Sequence, residues 1–324
     1  MNEIRYARQT ALPGIGPAGQ ARLGAAAVLV VGAGGIGCPA LACLVGAGVG
    51  HLLIVDPDRV SLANLHRQYL YAPGDVGQPK VQVARAALHR FNPEARISAI
   101  ASTLTPTNAP GLVAQATLVL DASDNRAVTY MLDEAASHCG KPLVAAAALG
   151  FDGYVGCYGA DAPDYRTIFP DMPHAAGNCT RNGVLGSVTG VIGHLAAHLA
   201  LRWLLGMHPS PAGDLLRFDG CHGTTTRTDF RTAPPATAPP LRFIAREAVQ
   251  PEDCVIDLRS VDEAPAPAFP HARRLLPAAL PAALSAPTGA RIVLCCRSGL
   301  RAWHAGRRLQ HAGFPHVALL ALGP

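Results

Sequence analysis

The sequence has no apolar run long and uninterrupted enough to indicate a membrane span. Its most apolar stretch, VTGVIGHLAAHLALRWLLG, carries two histidines and an arginine, which is more typical of a helix in a protein core. The opening residues, MNEIRYARQT, lack the apolar core of a signal peptide. No basic run stands out and the formal net charge is only +5, which argues against a nucleic-acid partner. We therefore expect a cytoplasmic protein that binds neither membranes nor nucleic acid.

The composition is that of a globular chain with enough apolar residues for a sizeable core. Hydrophobic residues make up 49% and charged residues 15% of 324 residues, a length that corresponds to roughly two domains. In a reducing compartment the nine cysteines are expected to be free thiols, ligands or catalytic groups. The stretch RTAPPATAPP is rich in Pro, Ala and Thr and predicts a semi-rigid linker. We thus expect domains at residues 1–231 and 241–324, joined by residues 232–240.

The clearest local motif follows a predicted buried strand at residues 27–31. Gly32, Gly34 and Gly37 form a G-x-G-x-x-G pattern, followed by a helical stretch and a second strand that ends at Asp56. Such glycines let the backbone approach a phosphate, and the N-terminus of the next helix presents free N–H groups to an anion. Asp56 is placed to accept a hydrogen bond from a ribose hydroxyl. The pattern predicts a parallel α/β nucleotide-binding fold and leaves NAD, FAD and ATP open.

The segment after the second strand, DRVSLANLHRQYLYAPGDVGQPK, favours ATP. A dehydrogenase needs no cluster of Asn, Arg, Gln and Lys at this point. A phosphate-transfer site does, because it must hold the negative charges of a triphosphate. Arg67 and Lys80 are suitable cations, and Asn64 and Gln68 are suitable neutral partners. Taken one at a time, each of these residues is more typical of a solvated surface than of a binding site.

These motifs resemble those of the MoeB/ThiF adenylyltransferases, bacterial relatives of the ubiquitin-activating enzymes. The matching stretches follow in order over residues 1–231: RYARQ, GAGGIG, VDPDRVSLANLHRQ, VGQPK, DASDN, YRTIFP and CTRNGVLGSVTGVIGHLAAHLALRWLLG. The resemblance implies a Rossmann-like parallel sheet that binds ATP and Mg²⁺. It further implies that AMP is attached to the C-terminal glycine of a small ubiquitin-like sulfur carrier that ends in Gly-Gly. Because that carboxylate is already ionised, the protein would contribute positioning and charge neutralisation rather than a general base.

The resemblance also assigns roles to individual residues. The implied ATP site consists of Gly32, Gly34, Gly35, Gly37, Asp56, Asn64, Arg67, Gln68, Lys80, Asp124 and Asn125. Within it, Gly35 would lie against the nucleotide and Asp56 would bind the ribose. The phosphates would be held by Asn64, Arg67 and Lys80. Asp124 would help to coordinate Mg²⁺.

Three further family features concern a second subunit, a cysteine and a metal. The resemblance implies a homodimer with shared active sites, in which Arg8 would reach into the partner subunit's site. Cys179 matches a cysteine near the carrier tail, which is linked covalently to the carrier in some members and dispensable in others. The family usually holds a structural zinc with two C-x-x-C pairs. Here Asp164 and Thr167 replace the first pair, and DFRTAPPATAPP offers no cysteine for the second. No structural zinc is therefore expected.

A second motif, CCRSGLR, lies between a predicted strand and a predicted helix near the end of the sequence. A loop of this kind can point N–H groups inward, which together with arginines lowers the pKa of a thiol. The segment resembles a rhodanese domain over residues 241–324. By that match Cys296 begins the loop and is the persulfide-forming nucleophile, Cys295 packs inside, and Arg297 and Arg301 supply charge. The domain looks C-terminally shortened, so an inactive docking domain is an alternative.

The sequence thus predicts a two-domain α/β enzyme. The first domain would adenylate a sulfur-carrier C-terminus, and the second would deliver persulfide sulfur to give a thiocarboxylate, with a cysteine desulfurase as candidate sulfur donor. One alternative is a small-molecule carboxylate adenylase of the same fold. Another is a non-catalytic scaffold that binds a ubiquitin-like partner. A third, an NAD-binding dehydrogenase, is disfavoured by ANLHRQ and VGQPK.

Overall fold

A computed structural model describes residues 3–173, 183–235, 239–280, 282, 284 and 289–323. Its α-helices, α1 to α9, are Glu3–Thr10, Gly16–Ala25, Gly37–Gly46, Lys80–Phe91, Ala109–Ala114, Arg126–His138, Tyr165–Ile168, Gly186–Leu204 and Leu300–His311. Its strands, β1 to β13, are Ala27–Val31, His51–Val55, Arg96–Ile100, Leu118–Asp121, Leu143–Leu149, Asp152–Tyr158, Asp214–Asp219, Thr224–Asp229, Arg242–Phe243, Cys254–Asp257, Arg273–Arg274, Ile292–Cys296 and Val317–Ala321. No helix of these ranges is long and apolar enough to cross a membrane.

The first sheet has the strand order β3-β2-β1-β4-β5-β6-β7-β8. Strands β3 to β5 run parallel, and β6 to β8 continue antiparallel. β1, β2 and β4 are nearly unbroken aliphatic runs because both faces of the parallel part are covered. The predicted α/β class with a parallel-dominated sheet is confirmed. The chain leaves β1 for β2 on one side and later returns to β4 on the other, and ligands bind at the carboxyl ends of strands at such a switch point.

Helix α8 fixes the position of α3, the helix that follows the glycine motif. Ile192, Ala196 and Ala200 of α8 are buried, and the helix packs against α3, β5 and β6. At Gly193 a Cβ atom would lie 2.4 Å from the carbonyl oxygen of Ile36. A side chain there would push α3 away, so the close contact of the two helices depends on this glycine.

The second sheet has five parallel strands in the order β11-β10-β12-β13-β9. The strand predicted before CCRSGLR is β12, which pairs in parallel with β10. Helix α9 packs on one face of this sheet, with Trp303 and Leu309 fully buried. The side chains of Cys295 and Cys296 point to opposite faces, as strand alternation requires.

The two sheets share one hydrophobic core. Leu29 of β1 and Leu294 of β12 belong to the same buried cluster. At its centre the rings of Tyr130 in α6 and Trp303 in α9 lie with centroids 4.5 Å apart. The Pro-rich stretch therefore joins two units that pack against each other, rather than holding them apart.

Candidate functional site

The glycine motif forms the turn between β1 and α3. Gly32 has φ +96°, and a Cβ there would lie 2.6 Å from the carbonyl oxygen of Ala122. At Gly37 a Cβ would lie 2.0 Å from the carbonyl oxygen of Gly32. Both positions therefore exclude any side chain, and the turn closes against the end of β4. This geometry leaves the backbone of the turn open to a phosphate at the N-terminus of α3.

Asp56 ties the end of β2 to this turn. Its Oδ2 accepts a hydrogen bond from the N–H of Ala33 at 2.7 Å, and its Oδ1 accepts one from the N–H of Asp58 at 2.8 Å. Burial raises the pKa of Asp56, and the charge of Lys80 opposes that rise. The carboxylate is thus held firmly beside the glycine turn. Its predicted contact with a ribose stays a prediction.

Lys80 begins α4 and is almost fully buried, with 3% of the residue exposed. Its Nζ lies 2.8 Å from Oδ2 of Asp58, whose side chain is 62% exposed. An ion pair with one solvated partner is weak, and the exposed carboxylate can turn into solvent. The structure therefore holds a buried ammonium group whose ion-pair partner is solvated, and its predicted contact with a phosphate stays a prediction.

The second cation, Arg67, lies over the glycine turn. A Cβ at Gly35 would be 3.2 Å from Cδ of Arg67. The Nη2 of Arg67 donates to Oδ1 of Asn64 at 3.0 Å, and Nη1 lies 2.7 Å from Nε2 of His66. Gln68 is buried nearby, and its Oε1 has no hydrogen-bond partner among the described residues. Arg67 and Gln68 thus lie against the turn, while Asn64 and His66 contact Arg67; their predicted role in binding ATP stays a prediction.

The end of β4 supplies the opposite wall. Buried Asp121 accepts a hydrogen bond from the N–H of Ser123 at 2.9 Å, which shapes the turn that follows. Asp124 is exposed in this turn. The Oδ1 of Asn125 caps α6 by accepting the N–H of Ala127 at 3.0 Å. Asn125 thus has a structural role that the sequence reading did not assign.

Arg8 is not at this site within one chain. It is exposed in the last turn of α1. Tyr6 in the same helix accepts a hydrogen bond through its hydroxyl from Asn92, at the far end of α4 from Lys80. A helix of 12 residues is about 18 Å long. A role for Arg8 in ATP chemistry therefore requires a second copy of the chain. Cys179 lies outside the described residues.

Sequence reading missed two residues of the site. Asp58 pairs with Lys80, and His66 contacts Arg67. The second carboxylate of DPD, directly after β2, is the sequence signal for Asp58. The N–H of Asp58 also donates a hydrogen bond to Asp56. No sequence signal singles out His66, since its role depends only on being next to Arg67.

The described positions at which related proteins would carry zinc ligands do not form a metal site. Asp164 caps α7 by accepting the N–H of Thr167 at 2.8 Å. Within the described ranges no three His, Cys, Asp or Glu side chains are grouped to hold a metal ion. Aromatic rings fill this region instead: Tyr165 and Phe169 lie 4.8 Å apart, and Tyr158 stacks on Phe230 at 5.1 Å.

We expect purified, tag-free protein to contain far less than one zinc per chain. Four thiolates normally hold the structural ion, and the positions that would supply them carry other residues. Elemental analysis after dialysis against a chelator measures this directly. Protein loaded with zinc and dialysed in parallel is the control for adventitious binding. A full equivalent that survives dialysis would contradict the prediction.

In the second unit Cys296 is the last residue of β12, not the first of the loop, and it is fully buried. Burial raises the pKa of Cys296, opposed by the N–H of Ala302, 3.4 Å from Sγ, by the charge of Arg301, and by the N–H of Gly299. The expected lowering of this pKa is therefore wrong in net direction, because burial outweighs the donors. Burial raises the pKa of Cys295 to about 12.

The arginines of this loop differ in surroundings. Arg301 forms a two-pronged ion pair with Glu263 and donates to the carbonyl oxygen of Leu258 at 3.1 Å. Arg297 is exposed at the loop surface. The backbone at Gly299, with φ +85°, turns the loop into α9. The result is a small cradle of N–H groups closed around the sulfur of Cys296.

Fold and site together are those of an α/β protein with a glycine turn at the switch point of a parallel sheet and two cations, Lys80 and Arg67, beside it. Residues 6–239 match the profile of the ThiF family, and the chain belongs to that family. The match ends before β9, so it does not include the second sheet.

The similar proteins include enzymes that act on sulfur carriers. The sulfur carrier protein adenylyltransferase of Thermus thermophilus is 44% identical over 238 residues, which cover 71% of this chain and 88% of that protein. The adenylyltransferase and sulfurtransferase MOCS3 of Sus scrofa is 43% identical over 238 residues, which cover 72% of this chain and 52% of that protein. The aligned part thus spans about half of MOCS3.

Among solved structures, the fold is similar to that of Escherichia coli MccB with MccA-N7isoASN. The TM-score is 0.62 at 19% identity, covering 71% of this chain and 72% of that chain. PaaA gives a TM-score of 0.59 at 20% identity, covering 70% and 73%. At these identities the likeness concerns the fold.

Proposed function

We propose that the protein adenylates the C-terminal glycine of a small sulfur-carrier protein at the expense of ATP. The observation that carries this is the glycine turn with buried Lys80 and Arg67 beside it at the switch point of the sheet. The carrier carboxylate would attack the α-phosphorus, pyrophosphate would leave, and the acid would become an acyl-adenylate. Cations near the phosphates stabilise the charge that develops on the leaving pyrophosphate. The name and 44% identity of the Thermus enzyme support this substrate class.

Magnesium fits this site as a partner of ATP. Asp124 has an exposed carboxylate with no ion pair or hydrogen bond among the described residues. Because no three ligand side chains are grouped there, the ion would arrive with the nucleotide and take most of its oxygens from phosphates and water. Its contribution would be to neutralise phosphate charge, while Lys80 and Arg67 orient the phosphates.

The second unit would supply sulfur through Cys296. A sulfur donor such as a cysteine desulfurase would place a sulfane sulfur on this thiol. The terminal sulfur would attack the acyl-adenylate carbonyl and AMP would leave, forming an acyl disulfide. A thiol reductant would then cleave that disulfide to release the thiocarboxylate. The cradle of N–H groups at Cys296 supports the step, since such donors stabilise a sulfur anion. The name of MOCS3 includes a sulfurtransferase, although the aligned part spans only half of it.

ATP–pyrophosphate exchange tests the proposed adenylation. We expect exchange to require a carrier with an intact Gly-Gly end, and a carrier lacking its last glycine to be inactive. Exchange with small carboxylic acids and without carrier would favour the alternative adenylase. Binding of NAD in place of ATP would overturn the assignment.

We also propose a homodimer in which Arg8 acts in the partner subunit's site, since α1 lies far from Lys80 within one chain. Arg8→Ala and Lys80→Ala are each expected to be inactive alone. After random exchange of subunits about half of the dimers contain one chain of each variant, and each of these mixed dimers has one intact site out of two. The mixture should therefore recover about a quarter of wild-type activity. Fluorescence energy transfer between labelled chains controls for subunit exchange. A monomer in solution, or confirmed exchange of subunits without recovery of activity, would contradict a shared site.

A further inference from the structure

Helix α9 of the second unit grips a segment of the first through Arg307. Its Nε donates to Oδ1 of Asp171 at 2.6 Å, and its Nη2 donates to the carbonyl oxygen of Pro170 at 2.8 Å. Its Nη1 donates to the carbonyl oxygen of Pro239 at 2.8 Å, in the stretch that leads into β9. Only 11% of the Arg307 side chain is exposed. One guanidinium thus joins α9 to residues 165–171, here called the crossover segment.

A second arginine, in the crossover segment itself, points the other way into the second unit. The guanidinium of Arg166 lies 5.0 Å from the ring centroid of Tyr130 and 5.4 Å from that of Trp303. Its Nη1 donates to the carbonyl oxygen of Leu241 at 2.8 Å. Cation–π contacts of this kind are strongest where the cation is partly desolvated. The crossover segment and the second unit therefore hold each other by one arginine from each side.

The crossover segment also contacts α6 and β6, where the hydroxyls of Tyr154 and Tyr165 lie 3.0 Å apart. Asp133 accepts the N–H of Tyr165 at 2.8 Å and the N–H of Arg166 at 3.0 Å. Tyr130 donates through its hydroxyl to the carbonyl oxygen of Phe169 at 2.6 Å. Helix α7 has only four residues, and so short a helix is not stable without tertiary contacts. Its conformation therefore depends on contacts from α6, from the tyrosines of β6 and from α9.

The second unit also touches α6 next to the candidate ATP site. At Gly299 a Cβ would lie 2.9 Å from the Cβ of Ala127, in the first turn of α6. That turn is capped by Asn125 and follows Asp124. The second unit thus contacts both the crossover segment and the first turn of α6.

We propose that the second unit is a structural clamp: it holds the crossover segment against α6 in place of the zinc that this chain is not expected to bind. This role is separate from sulfur chemistry at Cys296, because the gripping side chains lie along α9 rather than at the cradle. It explains how the segment keeps its conformation when Asp164 and Thr167 stand at metal-ligand positions.

Neighbouring arginines of α9 provide a matched test in the full-length protein. Arg307 grips the crossover segment, whereas Arg308 bonds to the carbonyl oxygens of Pro277 and Leu280 within its own unit. Hydrogen exchange of the Tyr165 and Arg166 amides reports on the segment. Arg307→Ala should accelerate the hydrogen exchange of these two amides by about tenfold or more, and Arg308→Ala by less than about twofold, because local opening of the crossover segment sets their exchange rate. Amides of β1 and β4 should stay protected in both variants.

Trp303 provides a second, independent pair of variants. The indole Nε1 has no hydrogen-bond partner among the described residues. In Trp303→Phe the amides of Tyr165 and Arg166 should therefore exchange at the wild-type rate. Trp303→Ala removes the ring and should accelerate the same amides. Unchanged exchange in both Arg307→Ala and Trp303→Ala would overturn the clamp. Equal acceleration by Arg308→Ala, or across β1 and β4, would also overturn it by showing general destabilisation. None of these readouts depends on the proposed catalysis.

Discussion

Lys80→Ala is expected to lower ATP–pyrophosphate exchange by about 10²-fold or more, the loss typical of one preorganised charge contact with a transition state. The ammonium group is buried beside the glycine turn, where water screens it little, and its ion-pair partner among the described residues, Asp58, is solvated. The substitution leaves Asp58 exposed to water, so no unpaired charge is buried. The measurement is exchange at saturating carrier and ATP.

The chain offers a matched control for this variant. The only other lysine in the sequence is Lys141. It precedes β5, at the opposite end of the parallel strands from the glycine turn. Lys141→Ala should keep exchange within about twofold of wild type, since surface substitutions outside a site have small effects. Thermal unfolding of both variants checks that the loss is catalytic. Normal exchange in Lys80→Ala would remove this residue from the mechanism.

Much of the first sheet was predictable because its signals are local. The strand predicted at residues 27–31 is β1, and the second strand ends one residue before Asp56. Glycine spacing encodes the turn directly, because Gly32 and Gly37 sit where a Cβ would collide with backbone. The sequence order of strands and helices then places these residues at one edge of a parallel sheet.

What could not be predicted depends on distant parts of the chain. The pairing of Lys80 with Asp58 requires the start of α4 to fold back beside the end of β2. The contact of Tyr130 with Trp303 joins residues on either side of the Pro-rich stretch, which composition alone indicated to be a separator. Alternation correctly put Cys295 and Cys296 on opposite faces, but the burial of Cys296 is set by the packing of α9.

Cys296→Ser is expected to abolish loading of sulfane sulfur, while the wild type gains one sulfur atom. Both cysteines of β12 are buried, so exposure does not separate them. Their electrostatic surroundings do. Backbone N–H groups at the start of α9 and the charge of Arg301 oppose the rise of the Cys296 pKa. Within the described part of the chain no backbone donor acts on Cys295, where the charge of Asp257 adds to the rise of the pKa and the charges of two arginines oppose it. A persulfide anion is therefore better stabilised at Cys296, which has backbone N–H donors beside its sulfur, than at Cys295.

Intact-mass spectrometry after incubation with thiosulfate or a cysteine desulfurase measures this loading. Cys295→Ser is the matched control and should load like wild type, because its side chain faces the other side of the sheet. Cys296→Ser should keep pyrophosphate exchange within about twofold, since serine preserves the packing and the arginine contacts of α9 lie elsewhere. Loading that is lost in Cys295→Ser and kept in Cys296→Ser would reverse the assignment. Absence of loading in the wild type would leave the second unit with the clamp alone, because the contacts of Arg307 and Trp303 need no sulfur on Cys296.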